Sequence, residues 1–205
     1  MAEGTTGARR RRNPEQTRGA IIDALLAAVK EGIFAPTAKD IAQRAGASER
    51  SIFVHFPAID DLRIAAVDRQ SEQVEALIRT IDPALPLDRR IELVVEQSAD
   101  IFALQRNPRV LGLLESHSLP AVDARMRLTD RRIRAALAHA FGAELTRDGE
   151  RDEQLLDAID ATVGWPFRHH LVERRGLSRA AASAAVRRAL VALLAADHSG
   201  RSDFG

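Results

Sequence analysis

The chain has no cysteine, no tyrosine and a single tryptophan among its 205 residues. Without thiols, structural disulfides, thiolate metal sites and zinc-finger chemistry are all excluded, and a reducing compartment is indicated. With aromatics at 4%, an aromatic cage for a cationic drug is not expected. No stretch approaches the roughly 18 to 20 uninterrupted apolar residues of a membrane helix, and the polar start "MAEGTTGARRRRNPEQ" has no apolar signal-peptide core. The expected location is cytoplasmic, with no membrane partner. Charge of one sign is missing too: 30 basic residues against 29 acidic ones leave a net charge of +1, so the overall field names no partner.

What is present points to helix. Hydrophobic residues make up 45% of the chain, enough for a core without covalent staples. Apolar residues recur at helical spacing, alternating β-branched runs are absent, and alanine, leucine and arginine dominate. The expected fold is all-α with about nine helices. The first spans about 14 to 31 and carries Ile21, Ile22, Leu25, Leu26 and Val29 on one side. Two short helices follow within 37 to 56. A fourth starts at Asp60 or Asp61, whose carboxylates suit a helix N-terminus, and runs through Leu77, Ile78 and Ile81 to Pro83. Prolines then mark the joints between helices at about 86 to 106, 108 to 116, 120 to 144, 152 to 174 and 178 to 196.

Charge is distributed unevenly. From Arg9 to Phe56 there are nine basic residues and five acidic ones, while the remainder is net acidic. A basic segment on a neutral-to-acidic body fits a chain with one polyanion-facing end. The expected organisation is a basic disordered arm at 1–13, a small helical domain at 14–59, a larger helical domain at 60–196 and a flexible tail at 197–205.

The stretch "TAKDIAQRAGASERSIFVHF", residues 37 to 56, carries the reading head. Thr37 can cap the first short helix, Ile41, Ala42 and Ala45 face inward, and Gly46 suits the left-handed residue that ends it. Ser48 can cap the second, with Ile52, Phe53 and Phe56 as apolar anchors and Pro57 as the stop. Arg50, Ser51, Val54 and His55 are left outward. This is the arithmetic of a helix-turn-helix, whose second helix enters the major groove by its N-terminal end.

The same stretch resembles the DNA-binding domain of the TetR family of transcriptional regulators. Thr37, Ile41 and Ala42, Ala45 and Gly46, Ser48, Ile52, then Phe53, His55 and Phe56 match that family's pattern. Two positions depart from it. Phe53 stands where the family usually has tyrosine, losing a hydroxyl donor while keeping a packing role, and Ile59 stands where a lysine is usual. The Arg9 to Arg12 arm could make up lost phosphate contacts. By resemblance and geometry, Thr37, Lys39, Ser48 and His55 are the phosphate-side candidates, and Arg50, Ser51 and Val54 the base readers. Glu49 can favour the helix dipole or accept from a cytosine amine.

For the body, the resemblance implies a dimer formed by the last two helices and a small-molecule effector. The apolar faces offered for that seam are Leu155, Leu156, Ile159, Val163 and Phe167 with Leu171 on one helix, and Val186, Leu190, Leu193 and Leu194 on the other. Pro166, in "TVGWPFRHH", should kink its helix and open a pocket. Phe102, Phe141, Trp165 and Phe167 are candidate walls, and Gln97, His117, His139, Thr162 and His169 candidate polar hooks. His169 and Glu173 share one turn, with His170 beside them, but a third ligand is missing, so no metal, cofactor or enzyme is expected. The expected function is a ligand-responsive repressor binding an inverted-repeat DNA operator as a homodimer. The alternative is a helical interaction module in which Phe53 and Ile59 mark lost DNA binding.

Overall fold

The structure, a computed structural model, describes residues 13–195 apart from Asp148. The arginine run at Arg9 to Arg12 and the tail expected at 197–205 lie outside the described residues. The chain divides into two compact units, Met1–Ala66 and Val67–Gly205.

Capping chemistry shapes the first unit. Helix α1 (Pro14–Lys30) follows Asn13, whose side chain accepts the Glu15 N–H, and Pro14 fills the first helical position, where no N–H is needed. Its inner face buries Ile21, Ile22, Leu25, Leu26 and Val29. Helices α2 (Ala38–Ala45) and α3 (Glu49–His55) pack on α1 and on each other through Ile41, Ala42, Ala45 and Ile52. Gly46 does adopt the left-handed conformation, φ +62°, that stops α2. Helix α4 (Ile59–Glu75) starts in this unit, where Asp61 accepts the Ala58 N–H at 3.1 Å.

In the second unit the core is built from α5 (Leu87–Gln105), α7 (Pro120–Ala140), α8 (Glu153–Val163) and α10 (Arg179–Ala195). Ile91, Val94, Leu137, Phe141, Leu156, Ile159, Val186 and Leu190 meet there. Helix α6 (Pro108–Glu115) lies on α7, and α9 (Trp165–His169) packs on α5 before a π-helical turn at His170–Arg174. The all-α fold and every one of the expected helical regions are present.

Three boundaries differ from the expected ones. Helix α4 ends at Glu75 instead of running to Ile81. The Arg79 N–H, which a continuing helix would spend four residues back, donates instead to Gln97 Oε1 at 2.6 Å, and β-branched Ile78, Thr80 and Ile81 favour that departure. Helix α7 stops at Ala140, and a small antiparallel hairpin follows, β1 (Thr146–Arg147) against β2 (Glu150–Arg151), with Gly149 at φ +85°. The Asp-Gly dipeptide at 148–149 is a hairpin signal that the helical periodicity outweighed. The helix expected over 152 to 174 breaks at Gly164, ψ 162°, two residues before Pro166. A Cβ at 164 would lie 2.9 Å from the Asp160 carbonyl oxygen, so the break needs glycine, and Pro166 falls in the first turn of α9 where its missing N–H costs little.

Two buried arginines tie the second unit together. Arg90 makes a fork onto Glu144 at 2.6 and 2.7 Å and donates to the carbonyls of Leu85 and Ala140; that carboxylate raises its already high pKa. Arg168, only 2% exposed, has no carboxylate against it and is held by Ser98 Oγ, the Val95 carbonyl and Ser183 Oγ. Burial lowers its pKa to about 10.

Candidate functional site

The first unit offers a polar edge at the start of α3. Ser48 caps it by accepting the Ser51 N–H at 3.1 Å, and the two hydroxyls, 2.8 Å apart, share one hydrogen bond. One O–H of the pair is therefore left to donate outward. Thr37 is fully committed within the chain: it accepts the Asp40 N–H and donates both its hydroxyl and its backbone N–H to Asp40 Oδ2. That closed capping box holds the Asp40 carboxyl below its usual pKa, with the Thr37 hydroxyl as the main cause. Thr37 thus serves the helix, and its hydroxyl is spent before any phosphate arrives.

Around these caps, Lys39, Glu49, Arg50 and Val54 are exposed, and Ser51 and His55 half-buried. Arg44, near the end of α2, is anchored away by a fork onto Glu31 at 2.7 and 2.9 Å. Phe53 corrects the expectation of an apolar anchor. It is 52% exposed, beside Val54 at 69%, whereas Ile52 and Phe56 are buried at 1%. Helical spacing explains this: positions 52 and 56 share a face, and 53 is turned about 100° from it. Phe56 is also covered by the Arg18 guanidinium, 4.8 Å from the ring centroid, a contact that no local sequence signal announced. Ile59, at 38%, is exposed as well.

The second unit contains a cavity of about 260 Å³ between α5, α6, α7, α8 and α9. Its walls include Val94, Ile133, Leu137 and the aromatic rings of Phe102 and Trp165. Of the expected ligand residues it gathers Gln97, Phe102 and Trp165. Gln97 already accepts the Arg79 N–H. The other expected ligand residues do not line it. His117 and His139 are exposed. Phe141 is wholly buried in the core under Arg90. Thr162 is half-buried outside the lining. His169 stacks on Trp165 at 4.2 Å but does not reach the cavity. Glu173, its neighbour one turn on, is forked onto Arg106.

Sequence reading missed the polar wall. Arg109 and Asp130 pair through two hydrogen bonds of 2.9 and 2.7 Å on one side of the cavity, and Asp160 and Gln105 line it elsewhere. Burial raises the Asp160 pKa, and Asp130 and Asp157 add to that while Arg134 opposes it. The Trp165 Nε1–H is buried with no acceptor among the described residues. Only the i,i+3 and i,i+4 spacing of Asp157, Asp160 and Ala161 could have placed Asp160 near one wall; nothing local tells which wall.

The seam residues need a larger correction. Leu156, Ile159, Val163, Val186 and Leu190 are between 0% and 4% exposed within this single chain, where they fill its own core. They have no surface left for a partner. Leu155, Phe167 and Leu193 remain half-buried at its edge.

Comparison of the sequence with family models and with curated proteins finds no match. Solved structures do match. The chain is similar to a transcriptional regulator from Rhodococcus, with a TM-score of 0.69 and 16% identity over 90% of this chain and 97% of that one. It is similar to a TetR transcription regulator from Haloarcula marismortui, TM-score 0.64 at 15% identity, over 89% of this chain and 98% of that one. A third likeness is to the TetR-like regulator LfrR from Mycobacterium smegmatis, solved in complex with proflavine, TM-score 0.54 at 22% identity over 93% of this chain and 98% of that one. The fold is that of the TetR regulators.

Proposed function

We propose that this chain is a ligand-responsive DNA-binding transcriptional regulator, a repressor that binds an inverted-repeat operator as a homodimer and is released by a small molecule. The observation that carries the reading is the α2–α3 pair. Both helices are capped, Gly46 makes the left-handed turn, and the free start of α3 presents Arg50 and Ser51 with Lys39 nearby. Arg50 is suited to guanine, Val54 and the newly exposed Phe53 to thymine methyls, and Lys39, His55 and the spare Ser48–Ser51 hydroxyl to phosphate.

The dimer seam is drawn from what the core leaves over. Along α10, Ala181, Ala184, Arg188, Val191 and Ala195 are all exposed and alternate at three- and four-residue steps, a stripe whose three alanines leave room for a second helix while Arg188 and Val191 can pack along it. With Leu193 and Phe167 at its margin, it replaces the buried set named from sequence. A two-fold axis would set the two α3 helices about 34–36 Å or a multiple apart.

We place the effector in the cavity of the second unit; the LfrR structure, solved in complex with proflavine, supports a small molecule as the effector. Within that unit α4 is fastened to the cavity helices: Gln70 donates to the Leu104 carbonyl of α5 at 3.2 Å, and Asp68 and Glu75 pair with Arg125 of α7 at 3.4 and 3.2 Å. Because these contacts join α4 to α5 and α7, a shift of either helix on effector binding would act on α4. The effector must favour the state that does not bind DNA, and operator must weaken effector binding by the same factor.

Selection of DNA from a pool of genomic fragments, followed by titration of the recovered site across salt concentrations, tests the reading. A regulator gives one enriched inverted repeat whose affinity falls steeply with salt. Recovery of no preferred sequence would hand the chain to the interaction-module alternative.

A further inference from the structure

We propose that the cavity between α5, α6, α7, α8 and α9 takes a flat organic cation of about two rings, with Asp160 as its counter-ion. The proposal rests on the cavity being the effector site and names the chemistry of its occupant. Size is the first constraint. At about 260 Å³ the space exceeds the roughly 150 Å³ that admits benzene, leaving room for a second ring or substituents. The walls are apolar along Val94, Ile101, Ile133 and Leu137, with the Phe102 and Trp165 rings 6.4 Å apart at 40°. Such a lining suits a flat ring system, with the charge met by a carboxylate and not by an aromatic cage.

Charge decides the sign. Arg109 is the cation in the wall, and both arms of its fork are taken by Asp130. Among the described residues Asp160, whose side chain is partly buried at 37% exposure, pairs only with Arg134, at 4.0 Å, and Arg134 already serves Glu153 at 2.8 Å and Asp157 at 2.7 Å. One guanidinium is thus shared among three carboxylates, and Asp160 holds the poorest share. Arg168 does not line the cavity, and its donors are spent on Ser98, Val95 and Ser183. The wall therefore carries a carboxylate short of positive charge in a setting where burial already disfavours its ionised form. A cation placed against it relieves that penalty; an anion would deepen it. The Trp165 Nε1–H, buried with no acceptor among the described residues on a side chain that lines the cavity, is an independent sign of a ligand, and Gln105, 7% exposed, lines the same space. Its amide can accept from a ligand N–H or donate to a ring nitrogen.

The test uses three molecules of one size and different charge on the full chain at pH 7.5 without DNA: 4-aminoquinolinium, neutral quinoline and 1-naphthoate. Calorimetry gives the affinities, and fluorescence of Trp165, the chain's single tryptophan, reports whether the cavity is the place. The cation is expected to bind about tenfold or more tighter than quinoline, with naphthoate weakest. Asp160→Asn, of nearly equal volume, should abolish the preference while leaving quinoline binding unchanged; Asp160→Glu should restore it; Asp123→Asn, outside the cavity and paired with Arg127, should leave it intact. Equal affinity for quinoline and its amino derivative, no binding by any of the three, or a preference that survives Asp160→Asn in a protein with an unchanged unfolding transition would overturn the proposal. Tighter binding of naphthoate would do so too, by transferring the site to the Arg109 fork. Since DNA is absent, failure here leaves the regulator reading standing, and failure to find an operator leaves these affinities standing.

Discussion

The two units solve the same problem, placing polar groups where a partner can meet them, by different means. In the first, nearly every polar placement is made within three residues: Thr37 with Asp40, Ser48 with Ser51, Asn13 with Glu15. In the second, the decisive contacts leap along the chain: Arg90 to Glu144, Arg168 to Ser98, Arg109 to Asp130. A site assembled from neighbours is written in the order of the residues, whereas a site assembled across helices is written only in their packing. The α2–α3 pair is thereby a local motif, and the cavity belongs to this chain's own core.

The largest break in that contrast is Ile159→Asp. Ile159 is 0% exposed and sits in the core between α5, α8 and α10, so the aspartate buries a charge with no partner. A loss of about 4 kcal/mol or more is expected, read as a collapse of the cooperative transition in urea with far-ultraviolet dichroism. A folded monomer by light scattering would show instead that the side chain faces a subunit seam. In the first unit, by comparison, Arg50→Ala should leave the urea transition within about 0.5 kcal/mol. It should cost about 1–3 kcal/mol at the cognate operator and relax preference at one base position per half-site. Titration against single-base operator variants checks it, and unchanged preference would remove Arg50 as the base reader.

How much of each unit could be read in advance follows the same division. The caps, the Gly46 turn and the outward Arg50 were legible because helix geometry fixes them from consecutive residues. Phe53 departs from the expected anchor because an apolar residue announces burial by its chemistry, whereas the 100° step from Ile52 turns this one off the buried face. In the second unit, helical periodicity identified the apolar faces correctly and their destination wrongly. Leu156, Ile159 and Val163 show a stripe that reads the same whether it meets another helix of this chain or one of a second chain. The outward alanines of α10 were invisible for the converse reason, since alanine marks neither a core nor a surface. Only three of the nine expected ligand residues reach the cavity, because a pocket wall is shared among five helices and no spacing rule joins them.

A smaller effect tests whether local capping is what shapes the head. Thr37→Ala removes the hydroxyl that accepts the Asp40 N–H at 3.1 Å and donates to Asp40 Oδ2 at 2.7 Å. It should lower stability by about 1 kcal/mol, and operator affinity should fall only as far as α2 frays. Thr37→Ser, which keeps the cap, should restore both. If the serine variant is stable yet still binds operator weakly, Thr37 touches DNA and the cap is its lesser role.

The smallest effect sets one aspartate of each unit against the other. Asp40 has its pKa lowered, chiefly by the Thr37 hydroxyl, and Asp160 has its pKa raised, chiefly by burial, from the same ordinary value of 3.8. The folded state binds a proton less readily than the unfolded chain at Asp40 and more readily at Asp160. Asp40 therefore adds stability that is present above 3.8 and lost as pH falls through its depressed value. Asp160 gives its contribution below 3.8 and loses it as pH rises through its raised value. At neutral pH Asp40→Asn should lower the melting temperature and Asp160→Asn raise it. Both curves should converge on the parent protein's as the medium becomes acid, Asp160→Asn at the higher pH because its carboxyl is the first to take up a proton. Melting curves from pH 3 to 8 read both at once. An Asp160→Asn curve parallel to the parent's at every pH would mean the carboxylate is solvated after all, and the cavity wall would lose the charge that distinguishes it from the rest of the core.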